Sequence, residues 1–111
     1  MYLFSYLVID LYISAPEVKS FFMEKMEKNS IRANCKVSGE LPLNFTWTLN
    51  GAPVTGDGNA ALFQPRFRES VLYIENANEH NIGRYTCNVS NILGHQTATF
   101  LLGNILILFG L

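Results

Sequence analysis

Two cysteines, two histidines, one Gly-Asp-Gly triplet and two Asn-x-Ser/Thr triplets are the residues in this sequence with chemistry to offer. Cys35 and Cys87 lie far apart in the chain. A zinc site needs about four ligands, so two distant thiols offer either one disulfide bond in an oxidising compartment or a pair of buried free thiols. His80 and His95 fall on predicted loops, with no serine, acid or cysteine arranged around them to act as nucleophile or orienter. They read as solvated histidines. Gly56-Asp57-Gly58 is too short for a phosphate loop and no helix follows it. Asp57 by itself supplies too few oxygens to hold calcium. No catalytic residue, metal ligand or cofactor site is therefore assigned. Asn44-Phe45-Thr46 and Asn88-Val89-Ser90 fit the acceptor pattern for N-glycosylation, which makes Asn44 and Asn88 candidate glycan carriers in a secreted protein.

Composition narrows the classes further. The chain has 111 residues, a size suited to one domain, and is 49% hydrophobic and 15% charged, which supports a packed core and excludes intrinsic disorder. A net charge of -1 gives no electrostatic case for nucleic acid or an anionic membrane. Lys25, Lys28, Arg32 and Lys36 are interleaved with Glu24 and Glu27, as on a solvated face.

The elements that must position these groups are read from alternation. Leu72 and Ile74 alternate with Tyr73 and Glu75, the period of a half-buried strand. Gly83 marks a sharp corner. Tyr85, Cys87 and Val89 then alternate with Arg84, Thr86, Asn88 and Ser90, and Asn91 to Gly94 closes a hairpin. A tyrosine two residues before a cysteine, after a glycine corner, has the form of a tyrosine corner, whose phenol bonds a backbone group near Asn81. Upstream, Ile31, Ala33, Cys35 and Val37 alternate with Arg32, Asn34 and Lys36. Leu43, Phe45, Trp47 and Leu49 alternate with Asn44, Thr46 and Thr48, and Asn50-Gly51 is a strong turn signal. Residues 16–23 read as an edge strand with proline at its start, and residues 24–29 as a connection. Leu62 to Phe67 suggests a strand broken at Pro65, hence near an edge. Ala98, Phe100 and Leu102 alternate with Thr97, Thr99 and Leu101 in the last strand. Thr46, Thr48, Thr86, Thr97 and Thr99 then point outward from one sheet, a wet surface suited to β-branched residues, or an adhesive or glycan-bearing face.

The two ends differ from this pattern. Residues 1–15 are very apolar, but they lack a basic start, Asp10 interrupts the run, and Pro16 follows the only small pair, Ser14-Ala15. They read as an apolar leader or flanking segment. Residues 103–111 are too few to span a bilayer and read as an apolar tail, truncated or flanking. The domain is expected at residues 16–102.

About seven strands with turn signals between them, and no helical periodicity, predict an all-β sandwich of two antiparallel sheets. The order Cys35, Trp47, Cys87, with Leu72, Ile74, Gly83, Tyr85, Val89, Asn91 and Gly94 at their spacings, resembles an immunoglobulin domain of the I-set type. That resemblance implies a Cys35–Cys87 disulfide packed on Trp47, with Leu72 and Tyr85 as further core signature residues. The short segment between Leu49 and Val71 leaves little room for the extra strands of a variable domain. One departure stands out: Asn81 occupies a position where the family usually has an aspartate paired with an arginine. Arg66 or Arg68 could bond Asn81, though not as an ion pair.

Gly39 to Leu43, Trp47 to Gly51, the Arg68-x-Ser70-Val71-Leu72-x-Ile74 run, and His80 before Gly83-x-Tyr85-Thr86-Cys87 are similar to domains of the Dscam family, the Down syndrome cell adhesion molecules. This resemblance implies an extracellular, cell-surface module beside neighbouring immunoglobulin domains in tandem. Its partner would be a protein, including another copy of the parent receptor, with no nucleic acid and no small-molecule substrate. The competing expectation is an intracellular spacer, as in giant muscle proteins. The binding face expected from the alternation carries Arg32, Lys36, Tyr73 and Glu75, with Asn34 and Val71 among them. In an antiparallel copy, Lys36 or Arg32 would meet Glu75.

Overall fold

Successive side chains on each strand point to opposite sides, and the inward ones from two sheets meet in the core. The computed structural model describes residues 13–103. Eight strands occur among them: β1 (Glu17–Met26), β2 (Ser30–Ser38), β3 (Asn44–Leu49), β4 (Ala52–Pro53), β5 (Ala60–Arg66), β6 (Glu69–Ile74), β7 (Gly83–Asn91) and β8 (Gly94–Leu102). The first sheet has the order β1-β2-β6-β5 and the second β4-β3-β7-β8. All pairings are antiparallel. The all-β expectation holds. The extra strand over the expected seven is the two-residue β4, formed where Asn50 (φ 51) and Gly51 (φ 86) turn the chain back with both central residues at positive φ.

β1 runs three residues past its expected end, through Met26, and the connection shrinks to a 3₁₀ turn, Glu27–Asn29. Lys28 and Asn29 take positive φ there. β1 and β5 are the edges of the first sheet. Pro65 lies in β5, where the register with β6 shifts between Phe63 and Arg66, as an edge strand permits.

Ile31, Ala33, Cys35, Trp47, Leu72, Ile74, Tyr85, Cys87 and Leu102 form the main core between the sheets. A smaller cluster of Val37, Leu43 and Val89 extends it. Trp47, at 2% exposure, donates its indole N–H to Ser70 Oγ across the sandwich at 2.9 Å. Its ring lies 6.0 Å from Phe21, which is 5.7 Å from Phe100, which stacks at 5.1 Å on Tyr85. This aromatic chain joins β3, β1, β8 and β7. Trp47 and Tyr85 are fully buried, and Phe21 and Phe100 partly so; full burial of a large apolar side chain contributes about 1.5–3 kcal/mol.

The corner before β7 is built as its sequence suggests. Tyr85 OH donates to the Asn81 carbonyl at 2.6 Å. Gly83 sits at φ +150, and a Cβ there would meet the Asn50 side chain at 2.6 Å, so only glycine fits. The partner of Asn81 is not an arginine. Its carboxamide pairs reciprocally with that of Asn59, at 2.8 and 3.2 Å, and also accepts from the Asn78 backbone N–H at 2.9 Å. Arg68 instead donates to the Gly39 carbonyl. A carboxamide both donates and accepts, so two of them close on each other without any charge.

Of the two end segments, residues 1–12 and 104–111 lie outside the described residues. Ser14, within the expected leader, accepts through its carbonyl from the Glu40 N–H and from Asn91 Nδ2, each at 2.9 Å.

Candidate recognition face

Register decides which side chains meet on the outer face of the first sheet. Directly paired residues of antiparallel strands share a face. Phe22, Asn34, Val71 and Phe63 therefore form one row across all four strands. Glu24, Arg32, Tyr73 and Ala61 form the row beside it, and Ser20, Lys36, Glu69 and Arg66 the row on the other side. The face is an apolar band, with an aromatic at each edge, between two charged rows. Phe22 is 43% exposed and Phe63 54%.

The polar groups of this face are unevenly satisfied. Arg32 Nη2 is ion-paired and hydrogen-bonded to Glu24 Oε1. Asn34 Nδ2 donates to Glu69 Oε2 at 2.8 Å, and both residues are only 8% exposed. Asn34 Oδ1 and Arg32 Nε are buried and have no partner. A depression of about 550 Å³ opens here, with Arg32, Asn34, Phe63, Glu69, Val71 and Tyr73 in its lining. Asn34 points to the outer side, yet the residues around it bury it, as they bury Val71 at 9%.

The expected face residues do not form one uniform patch. Arg32 and Tyr73 are row neighbours in the depression, and Lys36 is exposed one row beyond Asn34. Glu75 is exposed just past the end of β6, where its backbone is held to Asn59. It shares a second depression with Tyr73, Glu24 and Lys28. Glu24 engages Arg32 within the chain, while Lys36, the other cation expected opposite a partner's Glu75, is exposed. Phe22, Glu24, Phe63 and Glu69 are the members that sequence reasoning missed. For Phe22 and Glu24 the signal was present: they alternate with inward Phe21 and Met23. For Glu69 it was present too, since on β6 it shares the phase of Val71 and Tyr73, while the shifted register of β5 hides the phase of Phe63.

The outer face of the second sheet is different. Thr48, Thr86 and Thr99 form one row, with a 3.0 Å hydroxyl contact between Thr86 and Thr99. The two acceptor triplets lie crosswise beside it: Asn44 is paired with Ser90, and Thr46 with Asn88. Asn44 is exposed and Asn88 half-buried. His95 lies at the start of β8 rather than on a loop, while His80 lies in the 3₁₀ turn Glu79–Asn81. Both are exposed. Among the described residues no group of three or more His, Cys, Asp or Glu is placed to hold a metal ion.

Inside, Cys35 on β2 and Cys87 on β7 are at 0% exposure, and both are thiols in this structure. They are in hydrogen-bond contact. That contact and burial push the Cys87 thiol up, while the same hydrogen bond draws Cys35 down. Burial also raises the Tyr85 phenol to about 12, against the opposing effect of its bond to Asn81.

The family model described as the immunoglobulin I-set domain matches residues 18–103. The chain is 41% identical over 64 residues to the cell adhesion molecule Dscam1 of Drosophila melanogaster, covering 56% of this chain and 3% of Dscam1. It is 35% identical over 66 residues to myopalladin of Mus musculus, covering 60% of this chain and 5% of myopalladin. It thus spans a small fraction of the length of both relatives. Among solved structures, the Ig7 domain of Dscam1, isoform 9, superposes with a TM-score of 0.64 at 36% identity, covering 67% of this chain and 79% of that one.

Proposed function

The chain belongs to the immunoglobulin I-set family, and we propose that it is an extracellular module of a Dscam-like adhesion or recognition receptor, binding protein through the outer face of its first sheet. Domains of this family generally act through protein–protein contacts rather than catalysis. The observation that carries the reading is the band of Phe22, Asn34, Val71 and Phe63 between charged rows. Exposed aromatics around a desolvated centre, rimmed by charge, have the anatomy of a protein interface. The partner is a protein, with another copy of the parent receptor as the leading case, and further immunoglobulin domains flank this one in tandem. A cell-surface location suits two further features. The contact between the Cys35 and Cys87 sulfurs suits a disulfide once an oxidising compartment accepts their two electrons and two protons. The crosswise acceptor triplets would carry glycan at Asn44 or Asn88 on the second sheet, leaving the first sheet bare.

A single standard interface is weak at cell-surface concentrations unless several copies engage, so the test is multivalent. Beads coated with the full chain should aggregate, and the double variant Tyr73→Ala, Glu75→Lys should aggregate several-fold less. Unchanged aggregation rules this face out. The likeness to myopalladin favours a second reading, an intracellular spacer. Mass spectrometry of secreted, non-reduced protein separates the two: a bridged Cys35–Cys87 pair supports the first, and two alkylatable thiols the second.

A further inference from the structure

We propose that the depression over Asn34 receives the Phe63–Gln64 corner of a second copy of this chain, so that the face is self-complementary; this rests on the recognition reading above. Two buried atoms in the depression lack partners: a donor, Arg32 Nε, and an acceptor, Asn34 Oδ1. They belong to residues two apart on β2, hence on the same face. The group that satisfies both must donate and accept. A carboxylate would satisfy the arginine but confront Glu69 and the Asn34 carbonyl. An ammonium would satisfy the carbonyl but confront Arg32. A neutral carboxamide fits both.

The chain carries such a group at the rim of the same depression. Gln64 is exposed and lines it, next to Phe63, which is 54% exposed. The strand order supplies the geometry. β2 and β5 flank β6, so a two-fold axis running along β6, between two such faces, lays β5 of each copy over β2 of the other. Phe63 then packs as an apolar anchor beside Val71 and Tyr73. The Gln64 carbonyl accepts from Arg32 Nε, and its amide donates to Asn34 Oδ1. The contact is made twice, as two-fold symmetry requires. Arg32 stays with its own Glu24, and Glu69 keeps its hydrogen bond from Asn34 Nδ2.

The experiment is a complementation on beads coated with the full chain. Gln64→Ala removes the inserted group and keeps the pocket. Asn34→Thr removes the acceptor, keeps a hydroxyl near Glu69, and leaves Gln64 intact. Each variant alone should aggregate about tenfold less than the natural sequence, since it has neither contact complete. Mixed beads should recover, because the Gln64 of one variant enters the intact pocket of the other. Thermal melting checks that both variants are folded; if Asn34→Thr is not, Arg32→Met replaces it on the pocket side. Gln64→Ala beads that aggregate as strongly as the natural chain, or mixed beads that fail to recover, overturn the pairing. If the Tyr73→Ala, Glu75→Lys variant still loses aggregation in that case, the face stands and only the pocket is wrong.

Discussion

Two clusters of buried amides sit on opposite sides of β6, and they are finished differently. At the corner before β7, Asn81 is 7% exposed and its carboxamide is closed on Asn59 and on the Asn78 N–H, while its carbonyl takes the Tyr85 phenol. On the outer face of the first sheet, Asn34 is 8% exposed and bonds through its nitrogen alone. Burying an amide without its hydrogen bonds costs free energy. A closed cluster recovers that cost within the fold and serves stability. An open one leaves that cost standing within the fold, where the proposed partner contact would recover it. The difference separates a closed asparagine cluster from an open one by their hydrogen bonds alone, and the proposed recognition face is built on the open one.

The comparison breaks most directly at Asn81. Asn81→Ala removes both bonds between the Asn59 and Asn81 carboxamides and the acceptor of the Asn78 N–H, one half of the capping box, and should cost about 3 kcal/mol in urea unfolding. A loss below about 1 kcal/mol would mean the corner is not closed in the sense argued.

Tyr85 sharpens the same side through pH. Its phenol titrates at about 12 in the fold, against about 10 unfolded. The folded state therefore holds the proton more tightly. The stabilisation, on the order of 3 kcal/mol for two pKa units, is complete below pH 10 and disappears as pH rises through 12. Tyr85→Phe should cost about 1.5 kcal/mol at neutral pH and should abolish that alkaline step. A variant that keeps the step would assign it to another group.

The smallest effect belongs to the open side. Arg32→Met removes an unpaired buried donor and a partly exposed ion pair, so unfolding free energy should move by no more than about 0.5 kcal/mol. A large destabilisation would make the face structural and erase the distinction from the corner.

Much of this molecule was legible locally. Alternation put Cys35, Trp47, Leu72, Tyr85 and Cys87 on inward positions, where they lie. Period-two patterning reports which side of a strand faces the core, because the pleat itself sets it. The corner tyrosine pointed to Asn81 across four residues, a distance a tight turn determines. Asn50-Gly51 announced its turn because both residues tolerate positive φ.

Only the tertiary structure could decide what lies beside what on the outer face. Outward phase made Asn34 polar surface, yet neighbours from β1 and β6 bury it, and the orphaned oxygen that follows was invisible in the chain. The partner of Asn81 was sought among arginines and is Asn59, brought in from the start of β5. Arg32 proved to be paired with Glu24 from β1, a neighbour that alternation along β2 could not name. Each of these depends on register between strands distant in sequence. That register follows from the packing of the whole sandwich, while the sequence by itself determines the face each side chain takes along its own strand.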